Sequence, residues 1–385
     1  MSKTIVVAGS VAQRPGNGGH TWVFLQYLLG FRKLGWEVLF LDRLEPEMCV
    51  DVHGRPAPIE KSVNVEYLDR VFREFALHDR YAIFHGGGRT VGLSRAEVLD
   101  EVARSALVMN VNGFFEDEEV LARASLRVYF DIDPGFAQMW RALRLHDAFR
   151  GHNAYVTVGE SVGRPECTIP TDDIAWITTP QPVVLEHWPV QSGPGRGAFT
   201  SVGSWRGPFG PIEYEGMTYG LRVHEFRRFA DLPRLVSAPL EIALDIDEAD
   251  AHDVEVLRSA GWALRDPREV AADPWRYRSY VQDSSAELMV AKNMYVQSRS
   301  GWFSDRSICY LACGRPVLAQ DTGFSRHHPV GEGLLAFTTL DEAVDGIERI
   351  GAGYAGHSRA ARERAEEHFD SNRVLGRLLG ELGVA

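Results

Sequence analysis

Thr4-Ile5-Val6-Val7-Ala8, the polar loop Gly9 to Gly19, the segment Thr21 to Leu34, and Glu37-Val38-Leu39-Phe40-Leu41 together decide the fold class. The first five residues form a short β-branched run, which reads as a strand. Val23, Leu25, Leu28 and Phe31 then give a helical apolar face, and Gly35 stops it before the next strand begins at Glu37. Strand, loop, helix and strand in this order make a βαβ unit of a parallel sheet. The same texture predicts strands at Tyr81 to Phe84, Leu107 to Val111, Arg127 to Phe130 and Tyr155 to Val158. Helices are predicted at Arg95 to Ala106, Asp117 to Ala124 and Phe136 to Phe149.

The texture changes between Gln181 and Gly197, where Pro182, Pro189 and Pro194 stand among three glycines. This stretch reads as a linker. A second series follows, with strands at Ala198 to Gly203, Leu240 to Leu244, Trp262 to Leu264, Tyr295 to Gln297 and Pro316 to Ala319. Its helices are expected at Val223 to Ala230, Asp253 to Ala260, Tyr277 to Val290, Asp305 to Ala312, Leu340 to Ile350 and Ser358 to Leu382. The expected architecture is α/β: two Rossmann-like, doubly wound parallel-sheet domains facing a central cleft, over residues 1–188 and 189–370. Ligands of such sheets bind beyond the carboxyl ends of the strands.

Composition narrows the partners. The 385 residues carry 41 Lys and Arg against 53 Asp and Glu, a net charge of −12. Such a chain makes a poor general binder of nucleic-acid backbones or anionic membranes, so small molecules are the expected partners. Only Lys3, Lys33, Lys61 and Lys292 are lysines; the other basic residues are arginine. Cys49, Cys167, Cys309 and Cys313 form no CxxC unit and read as reduced thiols. The start lacks a signal-peptide core, and no apolar run reaches the length of a membrane span, so the expected location is the cytoplasm.

Two loops have the composition to hold an anion. Pro15-Gly16-Asn17-Gly18-Gly19-His20-Thr21 leads into a helix N-terminus, where free N–H groups and the helix dipole favour negative charge. A dinucleotide site competes here, with Asp42 ending the second strand, but the third glycine of G-x-G-x-x-G would fall at Thr21. Glycines that merely let the chain turn are the plainer alternative. In Ser298-Arg299-Ser300-Gly301-Trp302-Phe303-Ser304-Asp305-Arg306-Ser307, Ser304 or Asp305 can cap the following helix. Gly301 permits close approach of a ligand, and Arg306 supplies a forked cation suited to phosphate. An ordinary capped helix with a surface arginine is the alternative.

With Tyr310-Leu311-Ala312-Cys313-Gly314-Arg315-Pro316-Val317-Leu318-Ala319, this region resembles the donor-binding segment of nucleotide-sugar glycosyltransferases of the two-domain GT-B fold. Family 4 and CgeB-like enzymes are the nearest in pattern. Gly18-Gly19 and Gly35-Trp36-Glu37-Val38 are similar to that superfamily's G-G and G-H-E-V elements. The resemblance implies a donor diphosphate at the helix beginning near Ser304, served by Gly18, Gly19, Ser204, Trp205, Arg206, Arg222, Gly301, Trp302, Ser304, Asp305, Arg306 and Ser307. It also implies a terminal helix, within 371–385, that packs back on the first domain. The family's Glu-x7-Glu is missing, because its two places fall on Gly301 and Cys309, which leaves Asp305 as the nearest acid for the donor ribose.

Transfer of a sugar to a hydroxyl requires stabilisation of the leaving diphosphate and, with inversion, a base. His20 is the expected base, with Asp131 and Asp133 as the acids that orient it, by analogy with inverting relatives; a plain hydrogen-bonding histidine is the alternative. His85, Asp321, Thr322 and Gly323 are the expected acceptor or sugar contacts. Asp131-Ile132-Asp133 and Asp245-Ile246-Asp247 spell D-x-D, a metal signature of another glycosyltransferase fold; here they read as solvated strand exits, and neither metal nor cofactor is expected. Trp205 and Trp302 are the expected stacking aromatics, whereas Trp22 and Trp140 read as core. An epimerase or hydrolase using the same donor pocket, or a noncatalytic nucleotide-sugar-binding protein, are the competing functions.

Overall fold

The computed structural model describes residues 4–384. Eight strands form the first sheet: β1 (Thr4–Ala8), β2 (Glu37–Leu44), β3 (Tyr81–His85), β4 (Arg89–Gly92), β5 (Leu107–Val111), β6 (Arg127–Asp131), β7 (Ala154–Thr157) and β8 (Ile177–Thr178). Their order is β4-β3-β2-β1-β5-β6-β7-β8, parallel except for the β3–β4 hairpin. The second half opens with β9 (Phe199–Ser204) and a small hairpin, β10 (Ile212–Tyr214) with β11 (Met217–Tyr219). Its sheet adds β12 (Leu240–Asp245), β13 (Ala263–Arg265), β14 (Ala286–Met289), β15 (Val317–Gln320) and β16 (Leu334–Phe337), in the all-parallel order β13-β12-β9-β14-β15-β16. The strand order reverses between β1 and β5 in the first sheet and between β9 and β14 in the second. These switch points open a crevice at the carboxyl ends of the strands.

The central strands are buried on both faces, which is why β1 and β15 read as continuous apolar runs. Tertiary burial overrides local preference at two places. Ala286-Glu287-Leu288-Met289 is made of good helix formers and was expected inside a helix, yet it is β14, fully buried between β9 and β15. Tyr295 to Gln297, expected as a strand, lies in the short helix Asn293–Ser298. The helix expected over Phe136 to Phe149 ends at Ala142, and Arg144 takes a left-handed conformation just beyond it.

The chain crosses between the sheets twice, and the crossings lie side by side. Val183 donates to Phe369 O at 2.7 Å, and Ser371 donates back to Val183 O at 3.0 Å. The first part of the proline-bearing linker is packed, with Val183, Val184 and Trp188 buried, whereas Pro189 to Gly197 runs mostly exposed. Beyond it, Ser371–Glu381 packs on the Gly18–Lys33 helix, with Val374, Leu375, Leu378 and Leu379 buried. Gly30 lets the helices approach closely there: a Cβ would stand 2.5 Å from Leu375 Cδ1, so that side chain would have to turn aside. Asp370 caps this last helix through Asn372 N–H, so the single helix expected over Ser358 to Leu382 is broken. Trp22 packs tilted on Trp188, whose ring meets Tyr277 edge to face, and the three join the cores of the two halves. No helix among the described residues is long and apolar enough to cross a membrane.

Candidate active site

Arg222 lies at the switch point of the second sheet. Its guanidinium rests on the bare backbone at the end of β9, where a Cβ on Gly203 would stand 2.9 Å from Nη1. Nη1 donates to Val290 O, just past β14, at 3.2 Å, and Nε is buried without a partner among the described residues. Burial and the neighbouring Arg306 pull its pKa down to about 10. A buried guanidinium with an orphan donor at the mouth of a parallel sheet is an environment that an anion would relieve.

Lys292 reaches across the cleft from the same strand exit. Its Nζ bonds both oxygens of Asp133, at 2.9 and 2.7 Å, and the Tyr295 hydroxyl donates to the same carboxylate. Tyr295 in turn stacks on Trp302, with ring centroids 4.3 Å apart. Asp305 faces this group at the start of the Asp305–Ala312 helix; burial raises its pKa, against the pull of Arg306, Arg222 and Lys292. From the first half, Arg14 stands within electrostatic reach of Asp133 and of His20. The site is thus a charged seam with Arg222, Lys292 and Asp305 on one wall and Arg14, His20 and Asp133 on the other.

His20 does follow β1 into the seam, but the expected acids do not orient it. Its Nε2 lies 3.1 Å from Ser10 O and 3.0 Å from Ser10 Oγ, so the ring is held by the β1 loop itself. Asp131 instead accepts from Gln138 Nε2 at 2.7 Å and Thr157 Oγ1 at 2.8 Å, and Asp133 is held by Lys292. Burial, with Arg14 nearby, lowers the His20 pKa to about 3, far from what a base at neutral pH needs. Burial likewise raises Asp131 to about 6.

Several expected donor contacts serve the fold. Arg306 is paired in the interior with Glu287 at 2.5 Å and donates to Val202 O at 2.7 Å, although its Nη2 stays orphaned, as does Ser307 Oγ. Arg206 is drawn into a bidentate pair with Asp250, at 2.7 and 2.6 Å. Trp205 is core, its indole N–H on Asp253. Ser204 is exposed at the end of β9, and Ser304 caps its helix by accepting from Arg306 N–H. Gly18 and Gly301 are where the halves touch: Gly18 N–H donates to Ala271 O at 2.7 Å, and a Cβ on Gly301 would stand 2.6 Å from Ser161 N. Gly19 likewise abuts the Tyr277 ring.

The expected acceptor contacts also have other tasks. His85 bonds Leu44 O at the β3–β4 hairpin, whose turn is made by Gly87 and Gly88, two strands away from β1. Asp321 accepts from Gly323 N–H and Ser325, and Thr322 bonds Trp302 O, which fixes the Ser298–Ser304 loop on the exit of β15. The D-x-D carboxylates are engaged as well, Asp247 capping Ala249 N–H and Asp245 accepting from Ser204. Asp42 accepts from Ala12 N–H, Gln13 and Arg43 N–H, and burial pushes it up to about 7. It holds the β1 loop rather than waiting for a ribose. Lys292, Tyr295 and Arg14 were missed, and the one signal for Lys292 is the rarity of lysine. A groove of about 680 Å3 runs from Gln13, Arg43 and Asn112 to His146 and His152 on the first half.

No family model and no curated protein matches the sequence. Solved structures do. An alpha-glucosyltransferase in complex with UDP and DNA is similar over 99% of both chains, with 11% identity and a TM-score of 0.60. HepE from Anabaena, in complex with UDP and glucose, is similar over 99% of this chain and 100% of its own, with 12% identity and a TM-score of 0.56. Sucrose-phosphate synthase from Thermosynechococcus elongatus is similar over 98% of both chains, with 12% identity and a TM-score of 0.55. Two doubly wound parallel sheets with facing switch points, aligned from end to end with these structures, give the chain the GT-B glycosyltransferase fold.

Proposed function

We propose that the chain transfers a sugar from a nucleoside-diphosphate sugar to an acceptor hydroxyl. The observation that carries this reading is the buried, incompletely satisfied Arg222 guanidinium at the β9–β14 switch point. In the reaction, the bond from the anomeric carbon to the diphosphate breaks and a bond to the acceptor oxygen forms. The diphosphate gains charge on leaving, and Arg222, fixed before the reaction, stabilises that charge. Asp305, at the helix start beside it, is placed for the donor's hydroxyls. The acceptor enters from the first half, and its hydroxyl proton passes to the departing diphosphate oxygen, because His20, lowered to about 3, is no base at neutral pH.

A noncatalytic nucleotide-sugar-binding protein is the second reading, favoured by Gly301 and Cys309 standing where the resembled family carries its two glutamates. Incubation with a panel of UDP- and GDP-sugars, with and without sugar and alcohol acceptors, separates the readings by nucleotide release and product mass. The transferase reading expects nucleoside diphosphate and a glycosylated acceptor, with Arg222→Gln lowering turnover by about tenfold or more. Binding without turnover across the panel supports the noncatalytic reading, and a changed sugar without acceptor identifies an epimerase.

A further inference from the structure

The crevice proposed to take the donor is filled by the protein's own groups. Ala271 O occupies the Gly18 N–H, and Asp133 occupies Lys292. Lys292 is built for a fixed post: Ala291 N–H donates to Gln320 Oε1 at 3.1 Å, while Asn293 accepts from Gly220 N–H and donates to Glu225, each at 2.7 Å. With its backbone pinned on both sides, only the flexible side chain is left to choose a partner. Two residues before it, Val290 O accepts from Arg222 Nη1, so the guanidinium of the Arg222–Phe226 helix is held at the strand exit that carries Lys292.

Asp133 comes from the opposite half, on a turn docked so closely that a Cβ on Gly135 would stand 2.5 Å from Met294 Sδ. The Asp133–Lys292 pair is only modestly exposed, with side-chain exposures of 21% and 19%, so its partners are not simply exchanged for water. We infer that Asp133 occupies the place of the donor's anion, and that Lys292 is a diphosphate ligand released to the substrate when that carboxylate is displaced. This rests on the sugar-transfer reading above. A diphosphate brings more negative charge than one carboxylate and can engage Lys292 and Arg222 together. The pair therefore opposes donor entry and couples it to separation of the two halves.

Calorimetric titration of the full chain with inorganic pyrophosphate and with UDP tests this. Asp133→Asn keeps the size of the side chain and removes its charge, and is expected to tighten pyrophosphate binding by about threefold or more. Lys292→Met is expected to weaken it by about tenfold or more, whereas Lys292→Arg, which keeps the charge, stays near wild type. The gain from Asp133→Asn is expected to vanish in the double variant with Lys292→Met. Unchanged or weaker binding in Asp133→Asn, a gain that persists without Lys292, or no pyrophosphate binding to either wild type or Asp133→Asn would overturn the inference. Pyrophosphate behaving as expected while UDP binds to no variant upholds the gate and contradicts the nucleotide-sugar reading.

Discussion

Arg306 and Arg222 carry the same group and do different work. Arg306 was the natural phosphate ligand by position, but its guanidinium faces Glu287 in the interior, and sequence spacing gives no sign of a carboxylate 19 residues away. Arg306→Ala would strand that carboxylate, so a loss of about 3–5 kcal/mol is expected, read as a large drop in denaturation midpoint. A near-wild-type melt with weakened nucleotide binding would return Arg306 to the donor site. His20 makes a second residue-scale prediction. Its pKa of about 3 in the folded chain lies below the ordinary 6.5, so unfolding takes up a proton between those values. The stability it contributes is complete above about pH 6.5 and is lost as pH falls toward 3. Asp131 and Asp42, raised to about 6 and about 7, act in the opposite sense, losing stability as pH rises through the same window. The informative quantity is thus the difference between wild type and His20→Asn. The variant's midpoint should fall less from pH 7 to pH 4, by roughly 3 °C or more, and parallel curves would refute the assignment.

At the scale of elements, the strands and helices around the switch points were legible because two-sided burial writes apolar runs and glycine stops into the chain. β14 was not, since Ala, Glu, Leu and Met take a strand only because β9 and β15 leave a slot for one. The misreading mattered. With β14 expected inside a helix and Tyr295 to Gln297 expected as a strand, the exit that carries Lys292 is not legible in the sequence. The glycines of the first loop were legible as special, but for another reason than phosphate. Gly18 has an unremarkable backbone, and a Cβ there would stand 2.1 Å from Asp273 O. Gly18→Ala is therefore expected to push the Gly18–Lys33 helix off the Ala271–Asp273 turn and expand the molecule, measured as a larger radius of gyration in small-angle scattering. An unchanged radius with intact folding would show that the contact yields locally.

For the whole molecule, an acidic surplus is compatible with the proposed anion site because the cations are gathered by topology rather than by composition. Arg222, Lys292 and Arg14 are far apart in sequence and meet only where two switch points face each other, with Asp133 between them. The fold could be read from local patterns, but this seam depends on how two halves close, which no local pattern encodes. The terminal helix, returned through the paired Val183 and Phe369–Ser371 crossings, adds a second contact to the first half by packing on the Gly18–Lys33 helix. The most direct test is a crystal structure of the protein with UDP and, separately, with GDP. A nucleotide is expected in the cleft with its diphosphate at about 2.7–3.2 Å from Arg222, and with Lys292 turned from Asp133 to a phosphate oxygen. A nucleotide bound elsewhere, or a diphosphate that leaves Arg222 untouched, would contradict it.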